Sequence, residues 1–173
     1  MDEPSAPTIV QAETPEDYAD FAALIREYFD WMFARYGDMR GFIEAVGGHQ
    51  GVEAELVDLA ATYGPPAGRT FIARVDGQAA GCIASKARGA GTTEMKRLFV
   101  PERFQGRGLG RALTRTLLAQ AREDGFARMV LDTGFQHDEA MSMYESLGFR
   151  PCEPYLDYPA ELLPHLRFFE RDL

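Results

Sequence analysis

Residues Gln105-Gly106-Arg107-Gly108-Leu109-Gly110 close a strand-like run, Thr92 to Val100, and open a helix-like run, Leu109 to Glu123. Glycines in alternate positions let a backbone approach a ligand closely, and the unpaired N–H groups of a helix's first turn point outward at whatever sits there. The combination predicts an anion cradle, with phosphate as its usual occupant. Spacing excludes the two common nucleotide loops. A G-x-G-x-x-G fingerprint begun at Gly108 needs glycine where Leu113 stands, and one begun at Gly106 needs it at Arg111. No stretch reads G-x-x-x-x-G-K-[ST].

The loop does read Q-x-x-G-x-G; Leu98-Phe99-Val100-Pro101 precedes it, and Tyr144-Glu145-Ser146-Leu147-Gly148-Phe149 comes later. On these segments, in this order, the chain resembles the GNAT superfamily of acetyl-CoA-dependent N-acetyltransferases. The resemblance is specific over about residues 92–150 and loose before that. It implies an α/β (α+β) fold: a central mixed, mostly antiparallel twisted sheet of about six to seven strands flanked by about four helices, in a single domain over residues 1–173. It also implies acetyl transfer from acetyl-CoA, as acyl-donor cosubstrate, to a primary amine of a small molecule or peptide, by direct attack in a ternary complex. The alternative is a non-catalytic acyl-CoA-binding module that senses the cofactor or regulates a partner. A transferase acting on a tRNA-borne amine is disfavoured by the acidic front half.

Within that resemblance, the pyrophosphate belongs on the N–H groups of Gln105, Gly106, Arg107, Gly108, Leu109 and Gly110, with Arg107 and Arg111 close enough to the helix start to meet phosphates. The pantetheine arm pairs like an added strand with the Leu98-Phe99-Val100 segment, through the backbone of Leu98 and Val100. An amine of pKa near 10.4 is free base in only about one molecule in 2,500 at pH 7, a cost of roughly 4.6 kcal/mol, so a base or a water relay helps. Glu94 stands four residues before Leu98, and strand alternation puts the two on one face, near the reacting end of the arm. The other reading of Glu94 is an ordinary strand carboxylate paired with Lys96 or Arg97.

Tyr144 is the general acid that the Y-x-x-x-G-F motif implies, since a phenol stays protonated at working pH and can donate to a departing thiolate. Its other reading is a core tyrosine on the Ala140–Leu147 face. Many relatives carry asparagine, helping hold the cofactor, where this chain has His137; here the residue could cap the helix, hydrogen-bond the arm or titrate near neutrality. The oxyanion is assigned to a backbone N–H near Leu98, where a strand bulge is common in the family. G-x-S-x-G is absent and neither cysteine neighbours a His or basic cluster, so no covalent acyl-enzyme is expected.

A length of 173 residues with 46% hydrophobic side chains suits one core. The apolar segments are short and interrupted by charge, so none approaches the roughly 20 residues of a membrane helix. The start, Met1-Asp2-Glu3-Pro4, is acidic where a secretory leader would be basic, which points to the cytoplasm. Cys82 and Cys152 are too few and too scattered for a disulfide framework or a zinc site, and no metal is expected. A net charge of -9 opposes nucleic-acid binding. Charge is also segregated: residues 86–128 hold ten Lys or Arg against four acids, and residues 1–63 hold three against thirteen. That pattern suggests a polyanionic cofactor held centrally and a cationic acceptor met near the N-terminal helices.

In chain order, Thr8 to Glu13 reads as a strand. Thr14 and Pro15 then start a helix whose apolar positions Phe21, Leu24, Ile25, Tyr28, Phe29, Met32 and Phe33 recur at three and four until Gly37. Phe42 to Val46 reads as one further turn, Gly47 to Gly51 as a mobile connection, and Val52, Leu56, Leu59 and Ala60 as another helix. By family analogy Trp31, Tyr36, His49 and Glu53 line the acceptor pocket, with a solvated loop as the other reading of His49. Thr70 to Val75 and Gln78 to Ser85 form a hairpin across Asp76-Gly77. Ala127 to Thr133 reads as a buried strand parallel to the one before the cradle, followed by a short helix and a final strand, Leu166 to Arg171. An exposed terminal strand or the Tyr155–Tyr158 segment is the expected surface for a homodimer.

Overall fold

The computed structural model describes residues 6–173; the acidic start Met1–Pro4 lies outside the described residues. Strand β1 (Thr8–Gln11) leads into α1 (Pro15–Tyr36) through a capping box. Thr14 Oγ1 accepts from the Asp17 N–H, and Asp17 Oδ2 accepts from the Thr14 N–H, both at 3.1 Å. The Glu13 and Thr14 amides hold the Asp17 carboxyl down at about 2. Gly37 ends the helix, as expected.

The next segment differs from the sequence reading. Helix α2 (Arg40–Gln50) runs straight through Gly47-Gly48 and stops only at Gly51, whose φ of 71° is left-handed. Tertiary contacts override the poor propensity of the two glycines: Gly47 packs toward Phe29 of α1, and Gln50 is tied to three residues from elsewhere in the fold. The following helix is broken in two, α3 (Val52–Val57) and α4 (Leu59–Tyr63), because Asp58 leaves helical geometry and caps the Ala61 N–H at 2.9 Å. These extra pieces raise the helix count above the expected four.

From there the elements fall close to where periodicity puts them. They are β2 (Gly68–Val75), β3 (Gln78–Gly89), β4 (Thr92–Phe99), α5 (Leu109–Glu123), β5 (Arg128–Gly134), α6 (Asp138–Ser146), β6 (Arg150–Pro151) and β7 (Leu166–Asp172). Asp76 and Gly77 both take positive φ, as a two-residue hairpin turn between right-twisted strands requires. Two-residue β6 was too short to carry a periodic signal. Among the described residues the strands form one seven-stranded sheet in the order β1-β2-β3-β4-β5-β7-β6. Every neighbouring pair is antiparallel except β4 with β5.

Each face of the sheet is covered. Leu109, Leu113, Leu117 and Ala121 of α5 are buried on one face against Phe71, Ala73, Ile83 and Met129. Phe21, Leu24 and Ile25 of α1 are buried on the other, against Ile72, Cys82 and Ala84. Fully burying one such leucine contributes about 2 kcal/mol. Among the described residues no helix is long and apolar enough to cross a membrane.

Candidate active-site cleft

Strands β4 and β5 are paired only over Thr92–Glu94 with Arg128–Val130, yet β4 runs on to Phe99 and β5 to Gly134. Beyond Glu94 they part. The wedge between them is a cleft of about 490 Å³, walled by α1 and α2 on one side and by the cradle and α6 on the other. Past the last pair, the β5-facing backbone of β4 has no ladder partner in β5.

The second feature of β4 is a bulge. Ala84 of β3 pairs with Lys96 and Cys82 with Phe99, so two residues of β4, Arg97 and Leu98, oppose one residue of β3. Arg97 has a φ of +59°, an uncommon conformation for a residue with a side chain. The extra residue reverses the strand's alternation: Met95 and Leu98 both pack on the α5 side, while Phe99 packs on the α1 side. This corrects the reading of Glu94. It lies on the face opposite Leu98, fully buried, and does not line the cleft. Its partners are Arg88, Lys96 at 3.4 Å and the Tyr155 hydroxyl at 3.0 Å.

The cradle has the predicted form. Gln105 turns its side chain back to donate to Val100 O at 3.0 Å, and Gly106 and Gly108 take φ of 75° and 74°. Gly108 is the N-cap of α5, and no side chain caps that helix, so its first-turn N–H groups stay available. A Cβ at Gly106 or Gly108 would meet nothing within 4 Å, so the space in front of the loop is open. Bare amides, an open approach and flanking arginines fit a pyrophosphate. Arg107 lies over the Phe104 ring, and Arg111 donates to Ser146 Oγ at 2.9 Å, joining α5 to α6.

Tyr144 and His137 reach the cleft from α6 and its N-cap. Burial pushes the Tyr144 phenol well above its ordinary pKa, so it stays protonated. No hydrogen bond to its hydroxyl is found among the described residues. His137 is 6% exposed; its Nδ1 lies 3.0 Å from Thr133 Oγ1 and its Nε2 is buried without a partner. Burial first, then the charge of Arg35, lowers its pKa to about 4, which makes the ring neutral at pH 7.

The floor is a charged network that sequence reasoning missed. Arg97 donates to Glu55 Oε2 at 2.6 Å and to Gln50 Oε1 at 3.0 Å; Tyr63 and Lys86 also contact Glu55. Gln50 Nε2 donates to Asp132 and to the Tyr158 hydroxyl, which in turn donates to Asp132 at 3.0 Å. Burial lowers the Lys96 pKa against the pull of Asp132 and Glu94. For Glu55, burial works to raise the pKa, but Arg97 and its hydrogen bonds outweigh it and the net shift is downward. The available signal was phase: Glu55 sits on the apolar stripe of Val52, Leu56 and Leu59, and Asp132 follows Met129-Val130-Leu131.

Of the residues expected on the acceptor side, Trp31 and Tyr36 line the cleft. Glu53 is exposed and away from it, while His49 is exposed with its ring 4.6 Å from that of Tyr158. Among the described residues, no carboxylate of the acidic front half lines the cleft. Most N-terminal carboxylates face outward, and α1 and α2 present Tyr28, Phe29, Trp31, Met32, Tyr36 and Phe42, with Arg35 as their charged cleft residue. Among the described residues no group of His, Cys, Asp or Glu is arranged to hold a metal ion.

Comparison with known proteins bears on this geometry. The family model described as acetyltransferase (GNAT) matches residues 11–149. An uncharacterised N-acetyltransferase of Schizosaccharomyces pombe is 34% identical over 169 residues, covering 96% of this chain and 97% of that one. N-acetylaspartate synthetase of Danio rerio is 33% identical over 109 residues, 62% of this chain and 39% of its own length. Among solved structures, the PaiA N-acetyltransferase of Thermoplasma acidophilum, in complex with coenzyme A, gives a TM-score of 0.74 over 98% of this chain and 100% of that one, at 18% identity. That last likeness is one of fold.

Proposed function

Since this chain belongs to the acetyltransferase (GNAT) family, we propose that it moves the acetyl group of acetyl-CoA to a primary amine, of a small molecule or peptide, by direct attack in a ternary complex. The carrying observation is that one cleft brings together a helix N-terminus and a protonated phenol that have, respectively, no side-chain cap and no hydrogen-bond partner among the described residues. Residues 6–173 all contribute to or flank one sheet, which supports reading the chain as one acetyltransferase domain.

Acetyl-CoA, when bound, supplies the thioester. The amides of Gln105 to Gly110, with Arg107 and Arg111, would hold its pyrophosphate, and the β5-facing backbone edge of the Leu98-Phe99-Val100 segment, which has no ladder partner in β5, would hold its arm. A backbone N–H at the bulge would stabilise negative charge developing on the carbonyl oxygen. The new C–N bond forms as the C–S bond breaks, and Tyr144 Oη gives its proton to the departing sulfur. The amine's proton leaves through cleft water, because Glu94 is turned to the opposite face and engaged by Arg88, Lys96 and Tyr155.

Direct transfer is supported by the state of the thiols. Cys82 is fully buried, donates to Arg97 O at 3.2 Å, and burial pushes its pKa far up, so it makes a poor nucleophile. The test is an initial-rate study with both substrates varied, alongside calorimetry of acetyl-CoA at two salt concentrations. Intersecting double-reciprocal lines and affinity that weakens with salt are expected. Parallel lines would indicate an acyl-enzyme, and no acetyl-CoA binding at millimolar concentration would remove the reading altogether.

A further inference from the structure

His137 takes the place where the family commonly has a cofactor-holding asparagine, but its surroundings belong to the other side of the cleft. Its ring centroid lies 5.4 Å from that of Trp31, 5.7 Å from Tyr36 and 6.5 Å from Tyr28, all residues of α1. Its Nε2 is a buried polar atom without a partner among the described residues, and the residue lines the cleft. Leaving such an atom unpaired is unfavourable, and a ligand group hydrogen-bonding there would relieve that.

Charge on this side is already neutralised. Arg35 is paired with Glu139, Lys96 with Glu94 and Asp132, and Arg97 with Glu55. Among the described residues lining the cleft, Glu102 and Arg111 have no ion pair, and both belong to the cradle side; on the α1 and floor side a polyamine would find no unpaired carboxylate and a dicarboxylate no unpaired cation. What the wall offers instead is aromatic surface and one neutral imidazole.

We propose that His137 is an acceptor-binding residue: Nδ1–H donates to Thr133 Oγ1, and Nε2 accepts a hydrogen bond from the amino group of a monoamine carried on an apolar or aromatic body seated against Trp31 and Tyr28. This rests on the acetyltransferase reading and narrows it to a substrate class. A neutral ring suits the task, because it accepts a hydrogen bond without repelling an incoming ammonium group.

The test uses enzyme loaded with coenzyme A, which carries no acetyl group to donate. It is titrated with 2-phenylethylamine, spermidine and L-aspartate while the side-chain nitrogen-15 signals of His137 and the fluorescence of Trp31, the chain's single tryptophan, are followed. The His137 signals should report the Nδ1-protonated tautomer, stay in place on coenzyme A loading, and move with 2-phenylethylamine at about tenfold lower concentration than with the other two. His137→Ala should weaken 2-phenylethylamine about tenfold while the calorimetric Kd of coenzyme A holds within about twofold. Thr133→Val keeps the imidazole but removes its anchor, and should give a smaller loss together with a mixed tautomer. The assignment is overturned by a His137 signal that moves with coenzyme A alone, by amine binding indifferent to both variants, or by tighter binding of spermidine or aspartate. Failure of coenzyme A to bind at all is a separate result, and it removes the acetyltransferase reading itself.

Discussion

The floor and the walls of the cleft treat polar groups in opposite ways. On the floor, Lys96, Arg97 and Asp132, and beneath it Glu55 and Glu94, are buried or nearly so, and each has at least two partners. On the walls, the N–H groups at the start of α5 have no side-chain cap, Tyr144 Oη has no protein partner among the described residues, and His137 Nε2 has none. Paired groups hold the bulge and the splayed strands in place; unpaired groups are what a ligand can satisfy. The contrast therefore separates residues whose loss should cost stability from those whose loss should cost turnover.

Arg97→Leu should strain that contrast most. It leaves Glu55 buried at the floor with Lys86 at 3.5 Å as its remaining cation, and urea unfolding should record a loss of about 3–5 kcal/mol. A loss below about 1 kcal/mol would mean that the floor is not a structural network. Next in size is a pH effect at the wall. His137 is held near pKa 4 when folded against about 6.5 when unfolded, so between these values the unfolded chain binds the extra proton. Stability from this group is whole above about pH 6.5 and is lost as pH falls to about 4, up to roughly 3 kcal/mol. Subtracting the stability–pH curve of His137→Gln from that of the unaltered protein should isolate this slope, and a flat difference would contradict the buried neutral ring.

Tyr144→Phe removes one hydroxyl that has no hydrogen-bond partner among the described residues. Turnover should fall about 100-fold while the melting temperature hardly moves; unchanged turnover would favour a cofactor-sensing module over an enzyme. The smallest expected effect compares two helix starts. Thr14→Ala takes away the cap of α1 and should cost about 1 kcal/mol without altering acetyl-CoA affinity, since α1 satisfies its first turn internally and α5 does not. A change in acetyl-CoA affinity there would show that the two helix ends are coupled.

Where local structure rests on neighbours in the chain, the sequence was readable. The cradle and α5, the Thr14 cap, the Asp76-Gly77 hairpin and the Tyr144 motif each depend on a few consecutive residues whose backbone preferences agree with the fold. Gly47-Gly48 failed as a break for the converse reason, because packing against α1 and the ties of Gln50 outweighed local preference. Glu94 failed through a single event: alternation is a sound rule only while the strand is regular, and the bulge at Arg97 reverses it.

By itself, then, the sequence determined the strand–loop–helix built around Gln105–Gly110, the tyrosine on the helix that follows, and the family to which both belong. Tertiary structure alone decided which face Glu94 occupies, that β4 and β5 part after three residue pairs, and which charges are spent on one another. The physical reason is separation along the chain. Glu55 meets Arg97 across 42 residues and Gln50 meets Tyr158 across 108, and no local preference specifies which distant side chain will be there to neutralise a buried charge.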